Sequence, residues 1–491
     1  MATHLIDNFI RQLQPEEAES VNRYIKNNLR NPEESHIVYV YEKLRDGKPI
    51  DYKNPAALNK MKSRILEKSL DALLMDTNII NTLYADIDKT VITLKKQLVQ
   101  YKMLQRNLNP AKHAVSLHLC NHIIVQAKKN ELYSLVSEAL LMKKYALFAR
   151  SGVEGQKELN AEIEFYDYCA QALIRAADDY FFITHENNFA QLLSKEELDK
   201  KLDASILQMQ SDFKRTKSQN INYYLQILLF AQAERRKSYN EGITLCRVLI
   251  ANIKKYKFIY RKERMGFAYE NLSLNYLHLG NYALAGKHLE KAQSFLLPGS
   301  FNYLISLECE FMIHFYSGQY KKAKRSMEKA LQHPQNDAGN FRRSKHAYFM
   351  ACVLFMEKEY EKAKELLVKR FDIEQDKERW KVSVRILGIL TFIELRKFTQ
   401  AAKALEALRK YIQRNRGNNR ISARTVLIVQ TLQQLERTGF EFRREDKVLQ
   451  RQLKQLSARN TELSWEHYSP ELIKFHDWLE KQKSIADKLK A

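Results

Sequence analysis

Gly280-Asn281-Tyr282-Ala283-Leu284-Ala285, followed by Glu290-Lys291-Ala292, recurs as Gly318-Gln319-Tyr320-Lys321-Lys322-Ala323, followed by Glu328-Lys329-Ala330. Looser copies are Glu359-Tyr360-Glu361-Lys362-Ala363 and Lys397-Phe398-Thr399-Gln400-Ala401. The aromatics at 282, 320, 360 and 398 are 38, 40 and 38 residues apart, a period that means stacked repeats. Each copy reads as the corner of a helical hairpin. The glycine ends a first helix in the left-handed conformation that costs it nothing. The aromatic two residues on plugs the corner. The alanine three residues later lets the second helix approach the first.

Composition agrees with an almost all-helical chain. Of 491 residues 13 are Gly and 8 are Pro, far below the usual shares of about 7% and 5%. No proline falls between Pro110 and Pro298 or between Pro334 and Pro470. Hydrophobic residues make up 45%, enough for a large core, as two or three domains or one long solenoid. No window reaches 18 apolar residues, so no membrane span is expected. The N-terminus lacks a basic stretch before an apolar run and does not read as a signal peptide. Five scattered cysteines, none in Cys-x-x-Cys spacing, read as buried free thiols in a reducing cytoplasm.

Around the corners the chain resembles the tetratricopeptide repeat family. Tyr269, Leu272, Tyr276, Gly280, Tyr282, Ala285, Leu289, Ala292 and Pro298 follow that family's order of large, large, aromatic, Gly, aromatic, Ala, large, Ala, Pro. Leu307, Phe311, Gly318, Tyr320, Ala323, Met327, Ala330 and Pro334 repeat it. Copy three carries Lys358 at the turn glycine, and Arg370 and Leu408 stand at late alanine sites. The resemblance is good over 264–334, fair over 219–410 and architectural elsewhere.

It implies an all-α tetratricopeptide-like solenoid, a superhelix of helical hairpins with an N-terminal helical module and a C-terminal capping helix. The expected divisions are a helical module at 1–108, degenerate hairpins at 109–218, repeats at 219–414 and a basic cap at 415–491. Within the cap, Ser469-Pro470-Glu471 is expected to open a final helix with Leu472, Phe475, Trp478 and Leu479 on one face. The family's first helices line a concave groove for peptides or proteins. By resemblance the groove positions are Phe267, Glu270, Asn271, Leu274, Glu308, Met312, Lys345, Tyr348, Cys352 and Phe355. Some of these read equally well as core. The Lys/Asn/Arg clamp of chaperone-binding members is missing.

The net charge is +23, and residues 251–491 carry +19 of it. Arg409, Lys410, Arg414, Arg416, Arg420 and Arg424 fall together, with Arg443, Arg444, Lys447, Arg451, Lys454 and Arg459 beyond them. Such a patch suits nucleic acid or an acidic protein, or is a solvated repeat back. A helix from Pro55 with Lys60, Lys62, Arg64 and Lys68 on exposed positions reads as a solvated cap face or a DNA-reading helix. No phosphate-binding glycine loop, H-E-x-x-H or nucleophile elbow occurs. His118 and His122 are one turn apart with no third ligand, so no metal site is expected. The chain therefore reads as a non-catalytic, cofactor-free peptide or protein scaffold. The alternative is a nucleic-acid-binding or peptide-sensing transcriptional regulator, from the basic half and the N-terminal helices.

Overall fold

A computed structural model describes residues 2–28, 35–52, 54–76, 85–105, 110–151, 156–184, 195–338, 340–368, 380–414, 421–443, 445–458, 461–467 and 469–489. Two stretches that the sequence suggests as breaks between helices, 186–195 and the polar turn 415–419, fall almost wholly outside them. Every regular element among the described residues is helical, and none of these helices is long and apolar enough to cross a membrane. The chain divides into two compact units: Met1–Ile174 with Thr216–Asn220 and Tyr256–Ile259, and the remainder.

The first unit begins with α1 (Ala2–Gln12), α2 (Pro15–Asn27), α3 (Ser35–Arg45) and α4 (Pro55–Met75). Ile10, Val21, Ile25, Ile37, Val40 and Ile65 form its first core. Asn54 starts α4 by accepting from the N–H groups of Ala56 and Ala57, with Pro55 in the first turn. Lys62 is not a surface cation: it is buried, with Nζ 2.7 Å from Asp7 Oδ1. Next come α5 (Asp86–Gln105), α6 (Pro110–Lys129), α7 (Tyr133–Ser151) and the start of α8 (Gln156–Thr184). Leu94, Leu98, Ile123, Val136 and Leu140 form the second core.

The second unit holds α9 (Lys195–Thr216) and then six helix pairs. These are α10 (Gln219–Arg235) with α11 (Tyr239–Lys255), α12 (Lys262–His278) with α13 (Tyr282–Gln293), and α14 (Phe301–Tyr316) with α15 (Tyr320–Gln332). There follow α16 (Asn340–Met356) with α17 (Tyr360–Val368), α18 (Trp380–Glu394) with α19 (Phe398–Arg414), and α20 (Ala423–Arg437) with α21 (Lys447–Ser457). The last described helix is α22 (Phe475–Leu489); it is not opened by Ser469-Pro470-Glu471 as expected, and Leu472 lies ahead of it. Each helix from α11 packs on the next, and α12 touches α14 as α16 touches α18, so first helices of neighbouring pairs adjoin. That is an α-solenoid of tetratricopeptide-like hairpins.

The corners are one device repeated. Gly280 and Gly318 have φ of 73° and 75°. Gly280 N–H donates to Leu277 O and Asn281 N–H to Tyr276 O, closing the last turn with both bonds of a Schellman cap. Lys237, Lys358 and Arg396 take the same left-handed backbone (φ 58°, 65° and 56°) with the same pair of bonds. The sequence showed no glycine at those three sites, yet the geometry is kept. Glu131, two residues before Tyr133, does likewise at φ 52°, so the α6–α7 corner of the first unit shares it. Ala285, Ala323, Ala363 and Ala401 are fully buried, as the close approach requires. In the α11 copy Gly242 takes that place, and a Cβ there would lie 2.3 Å from Asn275 Oδ1.

Candidate functional site

The inner face of the hairpin array can be traced from the corners. The residues twelve positions before each corner aromatic are Glu270, Glu308, Tyr348 and Ile386, and all four are buried. An apolar ladder runs behind them, with Phe311 stacked on Phe349 at 4.7 Å and Phe349 tilted against Trp380 at 5.4 Å.

The early part of the face is charged. Glu308 is 1% exposed and takes Lys345 Nζ at 3.0 Å, Arg342 Nη1 at 3.1 Å and His346 Nε2 at 2.8 Å. Burial opposes its ionisation, but Lys345, His346 and Arg342 outweigh that and bring its pKa down to about 2. Glu270 has no such partner. Its Oε1 is buried without a hydrogen bond, and burial together with the charge of Glu308 raises it to about 8.

Part of the face is covered by the chain itself. After α21, the described residues between 461 and 474 form no helix and meet the array from Lys237 at the α10–α11 corner to Ile386 in α18. Glu466 pairs with Lys237. His467 Nε2 lies 3.1 Å from the Tyr282 hydroxyl, and its ring sits edge-on to Tyr316 and Trp465. Trp465 also packs edge-on to Tyr316 at 5.2 Å. The Tyr348 hydroxyl donates to the carbonyl of Pro470 at 2.8 Å. Ile473 lies beside Ile386, Leu387 and Leu390. Glu471 meets Arg424 through two parallel bonds of 2.6 and 2.8 Å. The same guanidinium donates to the carbonyls of Leu456 and Leu463 and to His476 Nδ1. In α22, Trp478 Nε1 and Gln482 both reach Glu394 at 2.8 Å.

Two hollows flank this segment. One of about 230 Å³ is walled by Phe315, Tyr316, Tyr320, Phe355, Tyr360 and Trp478. The other, about 820 Å³ and more polar, is lined by His278, His467, His476, Lys237, Lys474 and Glu466, among others. Burial lowers His278 and His467 to about 4 each; Glu466 partly offsets this for His278, while His278 and Lys474 add to it for His467. His476 is lowered too, by burial and by Arg424 against the opposing pull of Asp477 and Glu471.

The expected site residues are thus distributed unevenly. Phe267, Asn271 and Leu274 are half-buried on α12, with Lys345 half-buried beside Glu308. Glu270, Glu308, Met312, Tyr348, Cys352 and Phe355 are buried and do not line an open groove. Core packing accounts for Met312, and the terminal segment covers Tyr348 and Phe355. In the basic patch, Arg409 and Lys410 are exposed and pair with Glu406, and Arg414 and Arg443 are exposed. Arg424 is corrected: at 7% exposure it is an interior ion-pair residue. Arg416, Arg420 and Arg444 lie outside the described residues. His122 Nδ1 lies 2.9 Å from Gln97 Oε1. Sequence reasoning missed Trp465, His467 and Glu471. The signal was two of the chain's three tryptophans falling at 465 and 478, beside a proline after a long proline-free stretch.

No family model and no curated protein matches the chain. Among solved structures it is similar to the nearly identical tetratricopeptide-like repeats of a kinesin light chain described as putative, from Podospora anserina: 16% identity, 39% of this chain and 95% of that one, TM-score 0.34. It is similar to a signal-transduction ATPase with numerous domains and a tetratricopeptide repeat sensor from Pyrococcus horikoshii: 13% identity, 85% and 66% covered, TM-score 0.39. The tetratricopeptide domain of P58(IPK) is a third, at 12% identity, with 82% and 99% covered and a TM-score of 0.22.

Proposed function

We propose that the protein is a non-catalytic interaction scaffold that holds a stretch of another polypeptide along the inner face of its hairpin array. One observation carries this reading: the face already grips a non-helical polypeptide segment. It does so with a tyrosine hydroxyl on a backbone carbonyl, an aromatic cluster and a guanidinium on a carboxylate. Those are the means by which proteins hold peptides. Helical arrays of this kind typically serve as scaffolds rather than enzymes.

The test is a photo-crosslinking side chain placed at Asn271, half-buried on the inner face, and at Glu328, exposed on a second helix. A partner captured at 271 and not at 328, which then binds the purified chain, is the expected result. Equal capture at both positions, or none at 271, would sink the reading.

A further inference from the structure

Capping the end of a solenoid requires only an apolar helix laid on the last hairpin. Residues 461–479 do more. They leave α21 in the last hairpin and return to Lys237, Tyr282, Tyr316 and Tyr348, residues of much earlier hairpins. The contacts they make there resemble those of a ligand. Trp465 inserts against Tyr316, a backbone carbonyl receives the Tyr348 hydroxyl, and the Glu471 carboxylate enters a buried guanidinium. The carboxylate stands six positions after the aromatic.

Arg424 makes the sharpest demand on whatever occupies this place. A buried guanidinium is costly unless both edges are satisfied, and here Glu471, supplied by the segment, neutralises it. Any polypeptide that replaces the segment must bring a carboxylate to the same place. The aromatic wall of Phe315, Tyr316, Tyr320, Phe355 and Tyr360, which the segment lies along, adds an apolar requirement.

We infer that residues 461–479 are a resident occupant of the partner track. The partner is an extended polypeptide stretch of the same chemistry, an aromatic side chain followed about six residues on by a carboxylate. This rests on the scaffold reading above. The segment and the partner compete, so the free chain is self-blocked along the hairpins that the segment crosses.

The experiment uses the full chain with a protease site inserted between Thr461 and Glu462, both exposed. After cleavage the fragment 462–491 stays bound and becomes exchangeable. A fluorescent synthetic peptide of residues 462–491 is expected to exchange into the nicked chain and to bind the intact chain at least about tenfold more weakly, because the tethered copy is present at high effective concentration. Peptides carrying Trp465→Ala or Glu471→Gln should bind about tenfold or more weakly than the parent, the cost of one buried anchor. Equal binding to intact and nicked chains, no loss with either peptide variant, or loss of the array's helical circular dichroism on displacement would each overturn the inference. The Asn271 cross-link on both chains separates this from the scaffold reading. Equal capture by intact and nicked chains leaves the scaffold standing and overturns self-blocking. Capture by neither, with exchange intact, overturns the scaffold and the partner half of this inference.

Discussion

Glu270 keeps a proton at neutral pH that an ordinary carboxyl has lost, because burial and then the Glu308 charge raise its pKa from 4.5 to about 8. The folded chain therefore binds more protons than the unfolded chain between those values, and its stability falls as pH rises through that window. Glu270→Gln keeps the shape without the charge. It should flatten the decline, which is worth at most about 1.4 kcal/mol per pH unit, and raise the unfolding temperature at pH 8. Thermal melts of both chains from pH 6 to pH 9 check this; parallel curves would refute it. Glu308 runs the other way, its contribution being lost only as pH falls from about 4.5 through about 2. Arg424→Met removes five bonds and leaves Glu471 unpaired, at a cost of about 3–5 kcal/mol in urea unfolding. Arg424→Lys should recover little, since an ammonium lacks the fork. The sequence placed Arg424 in a surface patch because it stands among basic neighbours. Its acidic partner lies 47 residues away, and helical periodicity carries no trace of that pairing.

At the scale of elements, the corners were readable because their chemistry is local. Gly280 with Tyr282 and Ala285 writes the turn, the plug and the close approach into six residues. Lys358 and Arg396 hold the same left-handed backbone against a Cβ penalty. Lys358→Gly should therefore stabilise by about 0.5–1 kcal/mol, and Gly318→Ala should destabilise by a similar amount. Chemical denaturation of the two variants decides it; the same sign for both would be wrong for this geometry. The terminal segment was not readable, because an irregular stretch has no period and its contacts to the array are all long-range. Its seat should respond to acid. His278, His467 and His476 are held neutral among Glu466, Lys237, Lys474, Asp477, Glu471 and Arg424. Their pKa values lie below the ordinary 6.5, so a released segment takes up more protons, and attachment weakens as pH falls from about 6.5 towards 4. Amide protection of residues 463–479, corrected for intrinsic exchange, should drop between pH 7.5 and 5. That drop should be smaller with His278→Gln and His467→Gln together.

The second unit as a whole is built from neighbours touching neighbours, an arrangement in which each hairpin's stability adds to the next and the ends can fray alone. The segment across its inner face changes that. Lys237 and Glu466 are 229 residues apart in the chain and joined in space. A solenoid without such a tie gains its structure piecemeal, and local contacts make it fast. With the tie, the early hairpins acquire their last contacts only once the far end of the chain has arrived. The array should therefore melt as one cooperative transition, where a simple stack would unzip hairpin by hairpin.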